Sequence, residues 1–129
     1  IDKSKSMGRR YLENVNLVGG DLSRLNLQYT NLNNSNLKNT NLTKVNLNGA
    51  NLTRVNLQGS YLHHTNLKHS NCTGADFLNA HLYYADFEGA NLTHARLVGA
   101  NVMKTNFQGV IGLDSEVKKL LKEKGAVVD

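Results

Sequence analysis

From Leu12 onward the chain places an apolar side chain at every fifth position. Leu17, Leu22, Leu27, Leu32 and Leu37 begin the series, and it runs without a slip through Cys72, Phe77, Leu82, Phe87, Leu92, Leu97, Val102 and Phe107. Two residues before each centre stands something small or apolar, such as Val15, Thr40, Val45, Ala50, Ala75, Ala90 or Ala100. The residue between the two is mostly Asn and sometimes Asp. A period of five matches neither the 3.6-residue helix nor the two-residue strand. It predicts a repeating coil.

A unit this short encloses no core by itself, so it must wind and stack on its own copies. With one pentapeptide per side of a square, the central Leu and the small residue before it both point inward. The other three positions face solvent. Stacked coils lie about 4.8 Å apart and share main-chain hydrogen bonds, which makes five coils a rod of roughly 24 Å. Asn side chains at equal heights can form amide ladders between coils.

The ends of such a rod expose unpaired backbone and need covers. After Gly109 the pattern stops. Asp114 or Ser115 supplies a helix N-cap, with Glu116 in the first turn. Val117, Leu120 and Leu121 then share one face, and Lys118, Lys119, Lys122 and Lys124 fill the later turns before Gly125 stops the helix. The expected organisation is therefore a tail or linker over 1–9, the repeat over 10–109, and a capping helix with its tail over 110–129.

Segments such as 48–54 (Asn-Gly-Ala-Asn-Leu-Thr-Arg) and 88–94 (Glu-Gly-Ala-Asn-Leu-Thr-His) resemble the pentapeptide-repeat family, whose motif is A(D/N)LXX. The resemblance spans Arg10 to Gly109. It implies an all-β, right-handed quadrilateral parallel β-helix of about five coils. Thr, Ser or Val replaces Ala at the small position through much of the first half.

Composition adds exclusions. The formal charge is +5, and Pro and Trp are absent. Cys72 is the single cysteine, so no intrachain disulfide forms. No apolar run approaches the roughly 20 residues that span a bilayer, so membrane insertion is not expected. A cytoplasmic setting is the default expectation. A lumenal, periplasmic or secreted one follows if a leader precedes Ile1.

In a four-sided coil, residues twenty apart become neighbours. On the side built around Leu22, Leu42, Leu62, Leu82 and Val102, one outer column reads Arg24, Lys44, His64, Tyr84, Lys104. The next reads Ser23, Thr43, His63, Tyr83, Met103, and the third Asp21, Asn41, Tyr61, His81, Asn101. Tyr61, His63, His64, His81, Tyr83 and Tyr84 thus gather on one face framed by Arg24, Lys44 and Lys104. Aromatic and basic side chains together make the composition of a recognition patch. Stacked rings that only tie coils together are the structural alternative. Val18, Leu78 and Val98 form a smaller apolar column on a second side.

Catalysis is not expected. The interior is filled, so Asp76, Asp86 and Glu88 have no pocket to act in. The three clustered histidines lack a cysteine or carboxylate to complete a metal set. Cys72 occupies an inward position, where it behaves as a small hydrophobe. No cofactor and no small-molecule substrate are implied. The expected role is a scaffold that offers rigid faces to an unidentified protein partner, as a monomer or a weak end-to-end dimer. The family resemblance also implies a second role, mimicry of DNA toward gyrase. That needs a strongly negative surface, and residues 10–109 carry eight basic against five acidic side chains. A third role is weak, salt-sensitive nucleic-acid binding through the basic and aromatic face.

Overall fold

A computed structural model describes residues 10–129, and the tail at 1–9 lies outside the described residues. Each pentapeptide makes one side of a coil by the same local steps. The carbonyl of the central residue accepts from the amide three residues on, as in Leu17 O with Gly20 N at 3.0 Å and Leu62 O with Thr65 N at 3.2 Å. The third residue of that turn has positive φ, 70° at Gly19 and 56° at His64, as a type II turn requires. The Asn before the centre closes an Asx turn, its Oδ1 accepting from the amide two residues on, for example Asn46 from Asn48 N at 3.0 Å.

Bridges to neighbouring coils fall at the Asn position, with one further bond from the corner amide, such as Tyr29 N to Asn48 O at 2.9 Å. The bridged partners lie twenty residues away and always in parallel, from Tyr11↔Asn31 to Asn91↔Ile111. Each bridge is a pair of bonds: Leu27 N donates to Asn46 O at 2.7 Å, and Asn46 N to Leu25 O at 2.9 Å. The expected strands therefore shrink to single bridged residues, because every side spends most of its five residues on turning. The amide ladders are also largely displaced. The Asn oxygens are taken by their own turn amides, and Asn106 Nδ2 to Asp86 Oδ1 at 3.2 Å is one rung that does form between coils.

The interior is one continuous stack. Leu27, Leu32, Leu37, Leu42, Leu47 and Leu52 are fully buried, and the C-terminal half substitutes Phe77, Phe87 and Phe107. At Ser35, Thr40, Ser60, Thr65 and Thr105, all at the small inward position, the hydroxyl donates to a carbonyl of the preceding coil. Ser70 instead donates to Leu67 O of its own coil, and Thr30 Oγ1 has no partner among the described residues. Thr40 reaches Leu17 O at 2.8 Å and Thr65 reaches Leu42 O at 2.7 Å. That bond offsets burial of the hydroxyl and explains why Thr and Ser stand in for Ala.

Cys72 is fully buried in this stack, and burial pushes its thiol up to about 12 against the opposing hydrogen bond to Ser70. The thiolate is the reactive form. At pH 8, native Cys72 is expected to resist a disulfide-exchange reagent and to react only at the rate at which the coil opens. Fast labelling in buffer without denaturant would contradict this placement.

The repeat geometry runs to Val110 and Ile111, after which the chain lifts off. Helix α1 spans Ser115–Glu123 and is capped by Asp114, whose Oδ1 accepts from Val117 N at 2.9 Å. Leu121 is buried against the last coil and Val117 partly so. Leu120, expected on the same face, is half exposed, because the helix is rolled to centre Leu121. Beyond Gly125 the chain returns as a parallel bridge, Asn106↔Val127, with Phe107 N donating to Val127 O at 2.8 Å. Two sides of the last coil thereby receive main-chain partners from residues 125–129. No helix among the described residues is long and apolar enough to cross a membrane.

Candidate partner-binding face

The twenty-residue pitch brings the six predicted rings together on one wall. Tyr61 stacks on His81 with centroids 4.7 Å apart and planes 3° from parallel. His64 stacks on Tyr84 at 4.9 Å and 5°. His63 leans on Tyr83 at 4.7 Å and meets Tyr61 and His81 edge-on at 6.4 and 6.1 Å. Tyr61, His63, His81 and Tyr83 are thus one cluster, and His64 with Tyr84 a second beside it.

Solvent reaches the two clusters unequally. Tyr61, His64 and Tyr84 are exposed, whereas His63, His81 and Tyr83 are half-buried among their neighbours. His63 Nε2 is covered and has no hydrogen-bond partner. Its pKa is lowered, first by burial and then by repulsion from His81 and His64. Both causes favour the uncharged form of His63 at the centre of the patch. Arg24, Lys44 and Lys104 are exposed in the column that holds His64 and Tyr84, and none forms an ion pair with a described residue. Lys68 and Arg96, elsewhere on the rod, are engaged by Asp86, Glu88 and Asp76.

The backbone under this column sets it apart. Each coil turns its corners on a residue with positive φ. At the other three corners, eleven of fifteen such residues are Gly or Asn, the types that tolerate this conformation. At this corner none of five is: Arg24, Lys44, His64, Tyr84 and Lys104 all sit between 56° and 67°. Elsewhere a large corner side chain lies over a glycine of the next coil, as Tyr29 does over Gly49 and His69 over Gly89. Here one large side chain follows another. This signal was present in the sequence as an unbroken run of bulky residues at every twentieth position, but it has no meaning until φ is known.

A groove of about 510 Å³ runs beside Tyr61 and His81 and is bounded by Lys38, Gly59 and Leu78. Among the described residues no group of three or more His, Cys, Asp or Glu side chains is placed to hold a metal ion.

A family model described as pentapeptide repeats matches in eight copies, over residues 11–43, 21–59, 31–68 and 70–109. No curated protein matches the chain by sequence. Among solved structures, a pentapeptide repeat protein from the Arabidopsis thaliana thylakoid lumen aligns with a TM-score of 0.81 at 22% identity, covering 99% of this chain and 84% of that one. Rfr23, from the cyanobacterium Cyanothece 51142, aligns at 0.75 and 28% identity over 92% and 88%. HetL, from Nostoc sp. PCC 7120 and described as involved in heterocyst differentiation regulation, aligns at 0.63 and 26% identity over 83% of this chain and 48% of its own.

Proposed function

The chain belongs to the pentapeptide repeat family, and from that premise we propose that it is a non-catalytic scaffold docking a protein partner on the wall of Tyr61, His63, His64, His81, Tyr83 and Tyr84. Family membership carries the right-handed four-sided β-helix with it. A rigid wall of that kind loses little entropy on binding.

The observation that carries the reading is the left-handed corner column. A bulky residue at positive φ costs about 1 kcal/mol relative to glycine. Strain held where glycine would relieve it points to a use for the side chains. Arg24, Lys44 and Lys104, which make no ion pair among the described residues, frame the rings and favour a partner surface with carboxylates at its rim. Mimicry of DNA finds no support in a repeat region with more basic than acidic side chains.

Stacking alone is a competing use of the rings, and glycine separates the two. In His64→Gly and Tyr84→Gly the backbone relief of about 1 kcal/mol offsets a lost stack of about 0.5–1.5 kcal/mol. The thermal midpoint should move by less than about 4 °C, while affinity capture of the partner by the double variant drops at least about tenfold. Undiminished capture with a large fall in the midpoint would assign the rings to coil cohesion. A gel shift with single-stranded DNA at low and moderate salt tests the nucleic-acid alternative, for which weak binding that vanishes with salt is expected.

A further inference from the structure

The wall of the last coil at residues 95–100 is an unfinished one. One coil below, Ala75 O, Phe77 N, Asn79 N and Ala80 O are all engaged by residues 96–101: Arg96 N donates to Ala75 O, Phe77 N to Arg96 O, Asn79 N to Val98 O and Asn101 N to Ala80 O. The equivalent groups one coil up are Ala95 O, Leu97 N, Gly99 N and Ala100 O. None has a main-chain partner among the described residues. The returning C-terminal segment serves other sides, through Lys104 N, Phe107 N and Gly109 N.

Helix α1 does not close over this edge but stands off from it. A cavity of about 470 Å³ separates the two, lined by Leu97, Val98, Leu113, Val117 and Leu120 among others. Leu97 occupies an inward position yet remains partly exposed, Val98 is 66% exposed and Leu120 49%. The groove therefore combines open donors and acceptors with an apolar floor. Arg96, His94 and Lys124 also line it, against one carboxylate, Asp114, whose Oδ1 already accepts from Val117 N.

We propose that this groove takes one segment of a partner protein, turned like a repeat pentapeptide and paired in parallel along residues 95–100 as the missing wall of a further coil. The four open groups set its register. Its first residue donates to Ala95 O and accepts from Leu97 N, its third accepts from Gly99 N, and its sixth donates to Ala100 O. This is strand addition at a sheet edge. The second residue points inward above Leu97 and must be apolar, and the fifth must be small. A carboxylate at an outward position complements Lys124. The site is separate from the aromatic wall and does not depend on that assignment.

The test uses the full chain and a labelled, end-blocked hexapeptide, Asp-Leu-Gln-Gly-Ala-Asp, with its mirror-image D-peptide as control. Saturable binding is expected for the L-peptide alone, with slowed hydrogen exchange at the Leu97 and Gly99 amides. Val98→Asp and Leu120→Asp alter exposed residues, so the thermal midpoint should hold while affinity falls about tenfold. No saturation up to about 1 mM peptide would overturn the proposal. Equal affinity for the D-peptide would overturn it too, by reducing the groove to an apolar patch. So would a concentration-dependent dimer that Val98→Asp dissolves, which would give the edge to a second copy of this chain.

Discussion

Replacing Phe87 by alanine is expected to destabilise the rod by about 3–5 kcal/mol, the range for a buried phenylalanine truncated to alanine. Phe87 is fully buried, lies 5.2 Å from Phe107 in a near-parallel stack, and meets Phe77 edge-on at 5.5 Å. Cavities cost most where surroundings cannot collapse. Here the coil spacing is held by hydrogen bonds such as Phe87 N to Asn106 O at 2.8 Å, so the walls cannot close in. Because each coil touches only its neighbours, the loss should appear first as early melting of the C-terminal coils. Urea unfolding followed by circular dichroism measures it. Phe87→Leu, which restores the side chain found at Leu27, Leu47 and Leu67 in the same column, should cost under about 1.5 kcal/mol. A loss below that figure for the alanine variant would mean that the aromatic stack is not what fills the coil.

The second large effect is expected at Gly112, where the chain leaves the last coil for α1. Its φ is 93°, and a Cβ there would run into the backbone N and Cα of Thr93. The obstacle is main chain, which cannot step aside as a side-chain tip can. Gly112→Ala should cost about 2–4 kcal/mol and loosen the cap as a unit. Residues 113–129 would become sensitive to limited proteolysis. The exposed last coil would promote end-to-end association, visible by light scattering. Gly125→Ala is the matched control. Its φ is 94°, but the new Cβ would approach Met103 Sδ, the end of a flexible side chain, so a loss of about 1 kcal/mol is expected. Equal behaviour of the two variants would refute the account of Gly112 as the point where the cap is anchored.

Some features were legible before any coordinates. The five-residue spacing of Leu and Phe, with Ala, Ser or Thr two before, identified every inward position of the central coils. The N-cap could be narrowed to Asp114 or Ser115 because capping is local chemistry, and the structure places it at Asp114. The six rings could be assigned to one wall because a square coil makes residues twenty apart neighbours. The Asn ladders were misjudged, since spacing alone does not reveal that the turn amide two residues on reaches Asn Oδ1 first. Leu120 shares the face of Val117 and Leu121, but that it is left half exposed beside the groove depends on what the helix lies against.

By itself, the order of side chains determined the coil, its register and the composition of each wall, because an unbroken period forces every repeat into the same local solution. Tertiary structure alone decided three things: that the Arg24–Lys104 corner carries bulky residues in a conformation suited to glycine, that α1 rolls to bury Leu121, and that residues 95–100 are left without a wall above them. Each depends on how separate stretches of chain meet at an end or a corner, where periodicity no longer dictates the neighbour.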